Sequence, residues 1–428
     1  SGRAVGGAST IGVSEHAFRV GLSAGWYTIA WALGAIVMGL FMAKKYREQN
    51  ITTITELIER HHTKGAVILG VFCQIVIQLV IISLQYIAGG SILHAILPDI
   101  FDFHTGMIVS AITFIGITFI GGMWSASLSN VLNIILIYVG ILAATIIQVK
   151  KIGNMDHLAA ALPANVPWFS FIDGVGPVTI TSWVVTLITV NLSLQSILQI
   201  SLGAKDAATA KKGFVWGGIL MLPVGVLAAF LGLVAKAMYP DAQAALALPQ
   251  VIVGLQPVLA GITLAALWAA DVSTACTILL GAATLFSNDI YKRFINPTVA
   301  ENKFVIINRL SVFAVGLITL WFAFNAAGIV KTMIAGLSMT CGLTCVFFFT
   351  MFAPGLCRRS SAFWTTLVSL IGIALWFVPG SPLAGIKPLF ANEVIYFEWP
   401  ICIITFLLVA MLDKNKIKEV VEVPEKDE

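Results

Sequence analysis

Apolar residues run along this chain in long, nearly unbroken stretches, without the one-faced or alternating patterns of soluble proteins. About twenty apolar residues in helical conformation cross the roughly 30 Å hydrocarbon layer of a bilayer. Twelve segments reach or approach that length: 5–20, 23–43, 66–96, 106–120, 125–149, 176–201, 213–238, 257–284, 305–325, 329–353, 361–378 and 397–412. Strands of a membrane barrel would be about ten residues long and would alternate in polarity; these runs do neither. The pattern predicts an all-α polytopic membrane protein, surrounded by membrane lipid, with a single transmembrane domain over 1–428. Between the second and third segments, Ile51, Ile54, Leu57 and Ile58 fall on one helical face, which predicts an amphipathic helix lying on the membrane surface. His61 and His62 follow it, point to different faces and make a poor metal pair.

Composition strengthens this picture. Hydrophobic residues make up 58% of the chain and charged residues 11%, against about 25% charged in soluble domains. That is too little charge to cover a water-facing surface. The net charge of +4 sits in the loops, so it speaks for topology and against nucleic acid as a partner. With the loop after the second segment in the cytoplasm, eighteen Lys and Arg residues gather on that side against six on the other, Arg3 aside. This is the bias of the positive-inside rule. It predicts a cytoplasmic C-terminal tail over 413–428 and a place in a bacterial cytoplasmic (inner) membrane. The chain opens at Ser1 with no Met and runs directly into a glycine-rich stretch, so membrane sequence is expected to precede it. Of six cysteines, Cys341 and Cys345 stand four apart on one helix face. That spacing suits a metal pair, and it equally suits thiols used as small packing residues.

Ionisable groups at membrane depth are costly and ask for a function. Here they are Glu15 and His16 in the first segment and Asp271 in the eighth. The first segment also carries Gly6, Gly7 and Gly12 with Ser9, Thr10 and Ser14 among them. Such a stretch tolerates unwound backbone, whose freed carbonyls persist at membrane depth only where they line a cavity or bind something. In the eighth segment, Ala270, Ser273 and Thr274 stand at i, i+3 and i+4, so a carbonyl and two hydroxyls can converge. Two carbonyls from a broken helix would complete five hard oxygen ligands for a small alkali cation. Alternatively, the hydroxyls bond carbonyls of their own helix. Two amide stripes, Gln74, Gln78 and Gln85 in the third segment and Asn191, Gln195 and Gln199 in the sixth, suit either a solute cavity or interhelical bonding. Cavity lining is expected of Gln78 and Gln195, and packing of the others.

The stretch Gly7-Ala8-Ser9-Thr10-Ile11-Gly12 resembles the broken first core helix of the sodium/solute symporter family, which includes carriers of sugars, proline, pantothenate and sialic acid. Three further stretches are similar to family signatures in the same order: Gly121-Gly122-Met123-Trp124 running on to Ser129-Asn130-Val131; Ala204-Lys205-Asp206 with Ala210-Lys211-Lys212; and Ala270 to Tyr291, with Ser273-Thr274 and Asn288-Asp289-Ile290-Tyr291. The resemblance implies a LeuT-like 5+5 inverted repeat, with core helices 1–5 over about 5–150, core helices 6–10 over about 176–355 and additional helices over about 360–412. It also implies a sodium site at the carbonyls of Ala8, Ile11 and Ala270 and the hydroxyls of Ser273 and Thr274. Na+ is then the coupling ion, and Gly12, Glu15, Gln78 and Gln195 are the residues expected to face the solute.

Three positions depart from the family pattern. Asn130 stands where a signature aspartate would join a second sodium site, so one sodium per cycle is expected. Glu15 occupies a place where neutral polar residues are usual, and Asp271 follows a ligand carbonyl directly. Either acid is a candidate for proton coupling. The function expected is sodium-coupled symport of a small polar solute by alternating access. The alternatives are a proton-coupled permease of the same fold for an amine-bearing or cationic solute, and a transporter-like sensory module. An enzyme is not expected: there is no nucleophile–base pair, no HExxH and no phosphate loop. The sequence does not indicate an oligomeric state.

Overall fold

A computed structural model describes residues 7–48, 53–121, 124–326 and 329–417, with the backbone alone at 121, 124–131, 199 and 331. Among the described residues the regular structure is helical, and the extended pairing is confined to one isolated bridge between Arg358 and Lys416. A wide π turn, Ala8–Gly12, leads into α1 (Val13–Val20). After it come α2 (Trp26–Val37, continuing helically to Glu48), the short α3 (Ile54–His61), α4 (Lys64–Ile96), α5 (Phe103–Gly121) and α6 (Trp124–Ile152). The second half holds α7 (Pro177–Ser193), α8 (Gln195–Leu202), α9 (Ala207–Met238), α10 (Pro257–Thr284, wound on to Ile295) and α11 (Glu301–Phe324). Last come α12 (Ile329–Leu337, continuing through Ser338–Thr340 into Cys341–Phe352), α13 (Ser361–Phe377) and α14 (Val394–Leu412).

Side chains and prolines set several of the helix starts. Thr53 and Thr63 accept bonds from Glu56 N and Ala66 N, and Asp206 accepts from Thr209 N at 2.6 Å. These are first-turn amides that would otherwise lack partners. Pro177 and Pro257 stand at the first positions of α7 and α10, where a missing N–H costs nothing.

Among the described residues, nine helical runs are long and apolar enough to cross a membrane, and a tenth arises if α7 and α8, bent by 60° at Leu194, count as one. This is fewer than the twelve segments of the hydropathy pattern, for two reasons. Ser361–Phe377 falls short at 17 residues. Ala8–Glu48 is one helical run by hydrogen bonding, although it is turned at Gly21. Gly21 has φ +78°, and a Cβ there would stand 2.3 Å from the Trp168 carbonyl. No side chain fits that backbone or that space, so α1 and α2 change direction where the 153–176 loop lies over them.

The helices pack in two groups. α9 and α7 flank α2, and α1 lies on α9; separately, α10 packs on α4, α5, α6 and α11. α12 bridges α4 and α7, and α13 and α14 pack on one another and on α12. The apolar face of α3 turns inward: Ile54, Leu57 and Ile58 are at most 1% exposed. The surface helix expected to rest on lipid therefore rests on protein. Thr55 donates to Asp289 Oδ2 at 2.9 Å, and Arg293 pairs with Glu59 at 2.7 Å, so the Asn288–Tyr291 stretch anchors α3 to the end of α10.

Candidate functional site

The widened turn that leads into α1 is bounded by glycine. Gly12 N donates to Gly7 O at 2.8 Å, one residue wider than α-helical bonding. Gly7 N in turn meets two acceptors from the other helix group, Asp271 Oδ1 at 2.5 Å and Gln85 Oε1 at 3.2 Å. A Cβ on Gly7 would lie 2.3 Å from Ala88 Cβ and 2.8 Å from Asp271 Oδ1, so only glycine brings the backbone this close. The π turn is thereby fastened to α10 and α4.

On α10, the Ser273 hydroxyl donates to Ala270 O at 3.0 Å. Two of the oxygens expected to face a cation thus bond one another here. Thr274 Oγ1 is buried without a partner, as is Asp271 Oδ2. Ala8 and Thr274 line one cavity of about 310 Å³ together with Gln85, Asn191 and Met333. The cavity runs from Ala8, Gln85 and Thr274 along α9 to Ala204, Thr209 and Phe214, beside the turn that carries Lys205, Lys211 and Lys212. Its lining is mostly apolar with a few hydroxyls and amides, and no ionisable side chain among the described residues contributes to it.

The other expected residues lie around this cavity. Ile11 is buried in the π turn at 1% exposure. Gly12 faces α12, where a Cβ would stand 2.5 Å from Ile329 Cγ2. Glu15 points the same way: its Oε2 accepts from Ile329 N at 3.0 Å and its Oε1 pairs with Arg19 at 3.4 Å. Gln78 donates to Gln74 O at 3.3 Å and stands against Gly281. Gln195 Oε1 accepts from Ile54 N at 2.7 Å, tying α8 to α3. None of these four lines the cavity. The amides that do, Gln85 and Asn191, belong to the stripes read from the sequence but were assigned to packing. The side chains of the Gly121–Val131 signature, including Asn130, and that of Gln199 lie outside the described residues.

The arrangement brings a widened helical turn, an acid and an orphaned hydroxyl beside a cavity sized for a small solute. The chain as a whole resembles known proteins. The model of the sodium:solute symporter family matches residues 1–369. The sodium/glucose cotransporter of Vibrio parahaemolyticus is 27% identical over 70% of this chain and 61% of its own length, so the chain spans less than two thirds of that relative. The sodium/proline symporter of Staphylococcus aureus is 22% identical over 96% of this chain and 85% of its own. Among solved structures, a Na+-coupled sialic acid symporter superposes with TM-score 0.72 at 16% identity, over 97% of this chain and 91% of that one. MhsT in complex with L-phenylalanine superposes with TM-score 0.57 at 13% identity, over 95% and 96%. At these identities the superpositions speak for the fold, which is LeuT-like.

Proposed function

The chain belongs to the sodium:solute symporter family, a family of carriers and not of enzymes, and from that premise we propose that it moves a small polar solute of no net charge inward together with Na+ by alternating access. One observation supports this above the others: the Gly7–Gly12 π turn is held on α10, and Ala8 and Thr274 line one cavity.

Na+ is a co-substrate in this scheme. Its ligands are the carbonyls of Ala8, Ile11 and Ala270 and the hydroxyls of Ser273 and Thr274. Ser273 turns from the Ala270 carbonyl to the ion, and Thr274 Oγ1 gains the partner it lacks. Asp271, whose second oxygen is unpartnered, places negative charge behind the site. Coupling requires that the ion stabilise one conformation more than another. An ion shared by α1 and α10 does so, because those helices belong to the two groups that must move apart. The charge bias of the loops puts the Lys205–Lys212 turn in the cytoplasm, with the C-terminus on the same side of a bacterial inner membrane. On that assignment the cavity opens inward, and Glu15 on Ile329 N helps to close the outer face. An uncharged lining favours a solute whose charges, if any, cancel, because isolated charge is costly to hold at membrane depth.

The test is uptake into proteoliposomes from a panel of neutral and zwitterionic solutes, with sodium and pH gradients imposed separately. Uptake driven by sodium alone is expected. Uptake driven only by a pH gradient, or confined to cationic solutes, would remove this account.

A further inference from the structure

Away from the transport cavity, α12 and α14 face each other with two pairs of sulfur or carboxylate side chains, each spaced i, i+4: Cys341 and Cys345 on one helix, Glu398 and Cys402 on the other. Residues four apart lie on one helix face, so two such pairs on packed helices converge. The ligand atoms of Cys341, Glu398 and Cys402 all lie within 4.8 Å of one another, and Cys345 packs in the same buried cluster.

Glu398 makes this more than a group of packed thiols. It is fully buried within a membrane helix, and no described cation pairs with it. Its Oε2 is held by the Ser369 hydroxyl at 2.6 Å and approached by Cys402 Sγ at 3.9 Å, while its Oε1 has no partner. A carboxylate in such surroundings calls for a compensating positive charge. The thiols are free, and the chemistry of the donor set says what that charge is. Two sulfurs and one carboxylate oxygen select a thiophilic d10 ion over sodium, calcium or magnesium. Zinc accepts cysteine sulfur together with a carboxylate oxygen.

We propose that Cys341, Glu398 and Cys402 bind a structural zinc ion that fastens the α13–α14 pair to α12. Ser369 orients the carboxylate from outside the coordination sphere, as partners of metal ligands commonly do. The site is closed, so the metal enters as the helices pack. Because it lies apart from the cavity, the proposal stands or falls independently of the transported solute.

The test is the metal content of the full-length protein, purified in detergent without chelator and measured by plasma mass spectrometry. About one zinc per chain is expected, retained through EDTA dialysis. Glu398→Gln preserves the shape of the side chain and is expected to lower zinc retention at least threefold. Cys341→Ser with Cys402→Ser should lower it at least tenfold, and Cys73→Ser should leave it unchanged. Loading with Cd2+ should give the ultraviolet thiolate-to-metal absorption in wild type and not in the double variant. If the double variant fails to fold, wild type and Glu398→Gln decide alone. Wild-type protein without zinc, a Cys341–Cys402 disulfide by mass spectrometry, or zinc that survives the double substitution would each overturn the proposal.

Discussion

The backbone amide of Gly7 donates to the Asp271 carboxylate at 2.5 Å, joining residues 264 apart in the chain. It links the broken first helix to the helix that carries Ser273 and Thr274, and the first prediction follows from its charge. A hydrogen bond to a charged group contributes about 1.5–3 kcal/mol, and about 1.4 kcal/mol is tenfold in affinity. Asp271→Asn keeps an acceptor for Gly7 and removes the charge, so the sodium concentration for half-maximal uptake should rise roughly tenfold with little loss of thermal stability. Asp271→Ala should raise the half-maximal sodium concentration and also lower the thermal stability. Unaltered sodium dependence in the Asn variant would show that the charge is not felt by the ion.

Glu15 gives the second prediction. Its carboxylate is bonded to Ile329 N and Arg19 and lies outside the cavity lining. Glu15→Gln should therefore leave the order of preference among solutes unchanged while slowing turnover a few-fold, since the bond to α12 weakens. Competition assays across the solute panel check this. A variant that changes which solute is carried would put Glu15 back in the cavity.

The third prediction concerns the fold. Gly21→Ala must place a Cβ 2.3 Å from the Trp168 carbonyl, at φ +78°. Backbone in that region costs a side chain on the order of 1–3 kcal/mol before any clash. The purified variant should melt several degrees below wild type, measured by a thermal shift in detergent, with sodium affinity preserved in the protein that survives.

Much of the fold was legible in the sequence because a long apolar run needs no partner to declare itself. The third and eighth segments, 66–96 and 257–284, match Lys64–Ile96 and Pro257–Thr284 closely. The site was legible in part. Spacing singled out the glycine-rich start of α1 and the Ala270–Thr274 face, but not the Gly7–Asp271 contact between them, since nothing local relates residues so far apart. For the amides, the helix face was found but not the level. The cavity meets α4 at Ile81 and Gln85, level with Gly7 and two turns beyond Gln78. The 60° bend after α7 carries Gln195 away to α3 and leaves Asn191 at the cavity. Glu398 was missed because it sits inside an apolar run that conceals one acid.

A pH effect is expected at the α3–α4 junction, outside the spans. Burial draws the His62 imidazole down to about 4 from its ordinary 6.5, against the opposing pull of its bond to the Arg358 carbonyl. The unfolded chain therefore takes up a proton between pH 6.5 and 4 that the folded protein refuses. Stability is full above that window and falls as pH drops through it, by roughly 2 kcal/mol at pH 5. Melting temperatures at pH 7 and pH 5 should diverge in wild type and converge in His62→Gln. Equal acid sensitivity in both would assign the effect to other groups.

The central claim is that sodium is held between α1 and α10 by the Ser273 and Thr274 hydroxyls, and its most direct measurement is solute uptake against sodium concentration for Ser273→Ala, Thr274→Ala and the double variant. Each single change removes one of five oxygen ligands and should raise the half-maximal sodium concentration about tenfold or more, equivalent to about 1.4 kcal/mol or more, and the double variant should lose sodium stimulation altogether. Sodium dependence unchanged in the double variant would contradict the account.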